Sequence, residues 1–289
     1  MITSNLKNLA REGLEKSVEV REEFGYDFRS PLCIYELCER MGVKVRMVDD
    51  VSMEGVYVAL GKPTILLSAL RPLPRRAFTC AHELGHHVFN HGTTIDELRD
   101  GAATNAFDPD EFLVDSFAGF LLMPSLGVKR AFVQRSLDPK TATPEQVYVV
   151  SSSFGVGYET LIGHLTHALR LISPARAESL AKVKLRQIRE RLICTSTNEP
   201  LVIADRHHAI GTLDAEVGAL VLLPPGTLAD ADQIEHLSDS PSGSLFRATR
   251  PGLARASIPG TEWGVFVRVS RAQYAGLARY RHLEEPSDE

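Results

Sequence analysis

The sequence predicts an α+β chain, with helices and a few strands first, a mainly helical middle, and a smaller β-rich α+β end. Three observations predict it. Apolar residues recur at helical spacing through most of the first 193 positions, broken between 43 and 68 by alternating, β-branched runs. From Cys194 onward, short β-rich runs (LVIAD, ALVLLPPG, SLFRATRP, WGVFVRVS) alternate with Gly, Pro and Ser turns. The chain has 289 residues, more than one average domain needs. The expected division is therefore a first domain over 1–125, a helical segment and connector over 126–193, and a C-terminal domain over 194–289.

The elements follow in order. Residues 4–24 place Leu6, Leu9, Gly13, Leu14 and Val18 on one helical face, with charges opposite. IYELCERMG is a second helix with Gly42 suited to its C-cap. VKVRMVD alternates and predicts a strand. GVYVAL, Gly61-Lys62-Pro63 and TILLS read as a hairpin. Arg71 to Arg76 form a basic loop punctuated by prolines, and Phe78 to about Asn90 an apolar helix carrying three histidines. HGTTIDELRDGAATNAF reads as a polar loop. Asp108-Pro109-Asp110-Glu111 then opens a helix with a cap, a proline in the first turn and acids at the positive end. That helix stops near Pro124. Residues 125–172 are mostly helical, and SPARAESLAKVKLRQIRERL predicts one long basic connector helix. The tail HLEEPSDE reads as disordered.

Composition narrows the function classes. The chain is 44% hydrophobic and 24% charged, as globular proteins are. It lacks a long uncharged apolar run, so no spanning helix is expected. Its charged, helical start does not resemble a signal peptide. Cys33, Cys38, Cys80 and Cys194 are dispersed, which fits reduced thiols and a cytoplasmic location. A net charge of -5 argues against a broad nucleic-acid surface but leaves room for a local basic patch.

The chemistry is concentrated in His82-Glu83-Leu84-Gly85-His86. Residues four apart on a helix share a face one turn apart, so both imidazoles can reach one Zn2+ ion. Glu83 is rotated away from ligation yet close enough to accept a proton from a water activated at the metal, whose pKa zinc lowers to about 7. A catalytic site needs a third protein ligand. One class of zinc peptidase supplies a His six residues after the second, but that position is Gly92. The other supplies a Glu from a following helix, and Glu111 is the candidate. The competing role for Glu111 is a capping box with Asp108. That role leaves Asp115 unexplained, a carboxylate inside the apolar run FLVDSFAGFLLM. Accepting the spare N–H of a ligand histidine explains it. His87 and His91 form a second i,i+4 pair, placed at the rim because no Glu follows His87 and Gly92 ends the helix. Cys80 reads as a small buried residue.

These residues resemble the ImmA/IrrE metallopeptidases. The resemblance is carried by Phe78-Thr79-Cys80-Ala81-His82-Glu83-Leu84-Gly85-His86, then by Glu111, Asp115, Phe117, Ala118 and Leu121-Leu122-Met123-Pro124, and it covers about residues 10 to 170. It implies a gluzincin-like fold whose sheet has its edge strand beside the zinc helix, here Gly55 to Leu60, able to bind an extended substrate. It implies cleavage of helix-turn-helix repressors of the XRE type in stress-response or mobile-element regulation. Some relatives carry a sensor-like domain after the peptidase and helical segment, so a sensory or regulatory role is expected of residues 194–289. Glu83 would take a proton from water and pass it to the leaving amine, with Tyr57 and His91 as candidates for stabilising the oxyanion or touching substrate.

Thr143-Pro144-Glu145-Gln146-Val147, the turn at Phe154-Gly155-Val156, and Tyr158 to Leu169 also form a helix-turn-helix-like pattern. The second helix offers Tyr158, Glu159, Thr160, His164 and His167, and one Arg at 170, which is poor phosphate chemistry. A DNA-binding regulator using residues 143–191 and a non-catalytic repressor-binding module are the two alternative readings. The first would show a salt-dependent shift with duplex DNA. The second has no need of Glu83.

Overall fold

The structure of the chain, a computed structural model, describes residues 2–97, 107–208 and 211–283. It is mixed α+β and divides into two compact units, Met1–Gly127 with Gln273–Arg279, and Val128–Ala272 with Tyr280–Glu289.

The first unit contains α1 (Ile2–Glu23), α2 (Ile34–Arg40), β1 (Lys44–Val48), β2 (Met53–Val58), β3 (Thr64–Ser68), α3 (Leu73–Val88), β4 (Thr94–Glu97) and α4 (Pro109–Leu122). The expected strands 44–48 and 64–68 pair in parallel, and β2 and β3 form the expected antiparallel hairpin. A two-residue strand, Gly276–Leu277, returns late in the chain to pair with β1 on the far side. Alternation along β1 buries Val45 and Met47, which is why this run forms a strand with one covered face.

Three local expectations are corrected. First, β2 is not an edge strand. It lies between β3 and β4, pairing Val56 with Ile95 and Tyr57 with Thr94. The edge strand β4 comes from residues read as a polar loop, because a four-residue strand gives too short a period-two signal to stand out. The rest of that loop, 98–106, lies outside the described residues, as does the tail from 284. Second, the Arg71–Arg76 segment is not all loop, since α3 starts at Leu73 with a proline in its first turn, where the missing N–H costs nothing. Arg71 and Arg75 reach Glu54 of β2 at 3.0 and 2.8 Å, pinning the start of α3 to the sheet. Third, the long connector is two helices, as described below.

α1 packs along α4. The buried guanidinium of Arg21 donates to the backbone carbonyls of Leu121, Asp27 and Ser30, so it satisfies the carbonyl end of α4 and two turns of chain at once. Desolvation lowers its pKa to about 10, so it stays a cation at neutral pH.

The second unit begins with helical segments: most of α5 (Ser125–Gln134), α6 (Pro144–Ser153) and α7 (Tyr158–Gly163). α7 continues as a π-helical turn over His164–Ala168. The helix start expected at Thr143 is closed by a capping box between Thr143 and Gln146. The basic stretch that reads as one helix splits into α8 (Pro174–Ala181) and α9 (Leu185–Ile193). Packing overrides the helix-favouring composition at Lys182–Lys184, with Leu180 and Ile188 each buried on its own helix. Among the described residues eight strands follow in this unit: β5 (Leu201–Ile203), β6 (Thr212–Glu216), β7 (Leu220–Leu223), β8 (Leu228–Ala229), β9 (Ile234–Ser240), β10 (Gly243–Ala248), β11 (Gly252–Ser257) and β12 (Gly264–Ser270). They form two four-stranded sheets, β5-β7-β10-β9 and β6-β12-β11-β8, that share one apolar core including Val221, Phe246, Ala254 and Val267. Helices and sheets are joined within this unit. Tyr148 donates to the Leu201 carbonyl, Ser152 bonds both backbone groups of Ile203, and Arg135 clamps Asp205 through two nitrogens.

Candidate metal centre

α3 is sorted by face, and each face has its own partner. Gly85 lies against α4, where an added Cβ would stand 2.9 Å from Val114 Cβ and 3.2 Å from Phe117, so only glycine permits this approach. Cys80 faces Cys38 of α2, with sulfurs 3.7 Å apart and both side chains buried. Burial, and then the neighbouring Cys38 thiol, push the Cys80 pKa well above its ordinary value, so it is an inert thiol as expected. Thr79, Glu83 and His87, four apart, line the face toward β2. Strand alternation turns Gly55 and Tyr57 to that face. A Cβ on Gly55 would meet Glu83 Oε1 and Thr79 Cγ2 at 2.6 Å, so the missing side chain is what lets the Glu83 carboxylate sit fully buried against the strand.

The remaining face carries His82 and His86, buried at 6% and 1% exposure. Their Nε2 atoms are 3.2 Å apart. α4 supplies the third group. Asp108 caps that helix by accepting from the backbone N–H groups of Asp110 and Glu111. The Glu111 side chain reaches the two imidazoles, with Oε2 3.4 Å from His82 Nε2 and Oε1 3.6 Å from His86 Nε2. The three groups could hold a metal ion, their ligand atoms all lying within 4.8 Å of one another. Donors about 2.0–2.1 Å from a tetrahedral zinc stand about 3.3 Å apart, close to the 3.2–3.6 Å between these groups. Two imidazoles and a carboxylate also leave one tetrahedral position open.

Each imidazole is backed from behind. Asp115 Oδ1 is 2.8 Å from His82 Nδ1, and His91 Nδ1 is 3.1 Å from His86 Nδ1. Asp115 stands one turn after Glu111 on α4, as its spacing requires, with its side chain 58% exposed although its neighbours are apolar. Tyr57 is buried, and its hydroxyl lies 2.7 Å from Nδ1 of His87, the residue after His86. Desolvation raises the Tyr57 pKa and lowers that of His87, which favours the neutral form of each. His91 is not one turn beyond His87 on a common helix face. The helix ends at Val88, and the chain folds His91 back over His86. The pairing of His91 with His86, and of Tyr57 with His87, was not foreseen. Asn90 and Gly92 flanking His91 are the helix-stop signal that could have shown the first.

Residues 38–165, which contain every group of this site, match the family model of the IrrE N-terminal-like domain. No curated protein matches the chain. Among the described residues, no single helix is long and apolar enough to cross a membrane.

Proposed function

We propose, from the premise that residues 38–165 belong to the ImmA/IrrE metallopeptidase family, that the chain is a zinc-dependent endopeptidase cleaving a helix-turn-helix repressor of the XRE type. The observation that carries the reading is the convergence of His82 and His86 of α3 with Glu111 of α4, next to a buried Glu83 that follows His82 in α3. A zinc ion held there would supply Lewis acidity, polarising the scissile carbonyl and making water acidic near neutral pH. Glu83 accepts the proton of the attacking water and hands it to the leaving amine. Its burial against Gly55 holds the carboxylate in one place for both transfers. Asp115 orients His82 by accepting its Nδ1–H, which leaves Nε2 as the donor to metal.

The substrate would enter as an extended strand. β4 ends the sheet on the side of β2, so an added backbone would pair there rather than on β2. The pathway proposed is a cytoplasmic stress response or mobile-element regulation, with residues 194–289 as the regulatory part. The helical pair α6–α7 is read as part of the second unit's packing. Its second helix opens with a buried Tyr158 and an exposed Glu159, which suits packing better than phosphate contact.

The test is incubation of the purified chain with the XRE-type repressor encoded nearest its gene, with and without chelator. Chelator-sensitive cleavage is expected. Cleavage indifferent to chelator would overturn the metal mechanism.

A further inference from the structure

We infer that His91 is a positioning residue for the metal centre, its Nδ1 accepting the Nδ1–H of His86 and so fixing the tautomer that turns His86 Nε2 to the metal. The inference rests on the metallopeptidase reading above and adds to it a residue that the ligand motif does not contain.

A neutral imidazole has one N–H and one lone pair. His86 must spend its lone pair at Nε2, where His82 Nε2 and Glu111 Oε1 converge at 3.2 and 3.6 Å. Its proton then sits on Nδ1, in a side chain only 1% exposed, and a buried N–H needs an acceptor. The structure places His91 Nδ1 there at 3.1 Å. His82 solves the same problem with Asp115. The two ligands are thus held by different acceptors, a carboxylate for one and a second imidazole for the other.

Helix termination brings His91 to this place. On a continuing helix it would lie five residues on, about 140° around the axis from His86, and could not touch it. Instead Asn90 takes the left-handed conformation at φ 58°. The His91 N–H donates to the His86 carbonyl at 3.0 Å and the Asn90 N–H to the His87 carbonyl at 3.2 Å, the paired bonds of a Schellman stop. The stop folds the chain so that residue six of the motif lies over residue one. The His91 ring then meets His86 edge-on, with centroids 5.3 Å apart, and stacks on Phe89 at 22° between planes. Phe89 is braced edge-on against Phe117 of α4. The acceptor is therefore held by packing, as a positioning group must be.

The test compares His91→Leu with His91→Asn in the full chain. Asparagine carries Oδ1 at the same bond position as Nδ1 of histidine and keeps an acceptor; leucine fills similar space without one. Zinc affinity is read by competition with a chromogenic chelator, and the site by the visible spectrum of bound Co2+. His91→Leu is expected to weaken zinc about 10–100-fold and alter the Co2+ spectrum, whereas His91→Asn stays within about threefold of the wild type. Zinc affinity unchanged in His91→Leu, or an equal loss in both variants, would overturn the inference. Nitrogen-15 spectra of the wild-type histidines give a second check that needs no variant. His86 should be protonated at Nδ1 with zinc bound, and a proton-free Nδ1 would also overturn it. A wild-type chain that takes up no metal would instead sink the metallopeptidase reading beneath it.

Discussion

Each unit of the molecule buries a polar cluster, and the two clusters are built on opposite principles. In the second unit, Asp214 is fully satisfied. Arg268 and Arg281 each donate to both of its oxygens, at 2.9–3.1 Å. Burial pushes the Asp214 pKa up, but the two guanidinium groups outweigh it and hold the carboxyl below its usual range. Charge meets opposite charge, and the cluster is complete without a ligand. In the first unit, His82 Nε2, His86 Nε2 and the Glu111 carboxylate point at one another as electron-pair donors. Proton acceptors, Asp115 and His91, stand behind them and keep those lone pairs facing inward. Donors that converge in this way fit around a cation. Arrangement of charge, more than burial, separates the cluster that holds a fold together from the one that performs chemistry.

Substitutions can break this contrast from either side. The largest effect expected is on Glu83→Gln, which should lower cleavage about 10²–10⁴-fold with metal content unchanged, measured by single-turnover cleavage and metal analysis. Full activity would remove Glu83 from the role of base. Next is Asp214→Asn, which removes a carboxylate shared by two buried guanidinium groups. It should cost about 3–5 kcal/mol in denaturant unfolding of the second unit while zinc affinity stays the same. The same cluster gives a pH signature. Asp214 has a lower pKa folded than unfolded, so its contribution is complete above the unfolded value of about 3.9 and is lost as pH falls through the folded one. The acid-unfolding profile of Asp214→Asn should be flatter in that window. An identical profile would deny the ion cluster its role.

Smaller effects sharpen the comparison within the metal site. Asp115→Leu should weaken zinc about 10–100-fold, or roughly 1.4–2.7 kcal/mol, without lowering the thermal stability of the metal-free protein. Asp108→Ala removes only the cap of α4 and should cost about 1 kcal/mol in stability. Zinc affinity should hardly change, because Glu111 reaches the imidazoles through its side chain. A large loss of zinc there would make the cap part of the site.

What the sequence made legible follows helical spacing. His82, Glu83 and His86 are local on α3, and Glu111 and Asp115 are local on α4, so one period places each set. The two helices were joined by the need for a third ligand, which Glu111 was the candidate to supply. Features made by turns or by distant residues were not legible. β4 is four residues long inside a polar stretch, and Gly276–Leu277 joins a sheet begun more than two hundred residues earlier. His91 looked like a rim residue because the helix was expected to end at His91 before Gly92, whereas it ends at Val88 and the left-handed Asn90 folds His91 back. Gly55 carries no pattern at all; its importance is visible only once Glu83 is seen against it. Asp214 and Arg281 are 67 residues apart, beyond any local rule.

The central claim is that three convergent donors on α3 and α4 hold a catalytic metal. Metal stoichiometry measures it most directly, with the full chain reconstituted in Zn2+, desalted and quantified by mass spectrometry beside His82→Ala and Glu111→Ala. The account predicts one tightly held zinc per wild-type chain and its loss in both variants. A wild-type chain that retains no metal, or variants that retain it as well as the wild type, would contradict it.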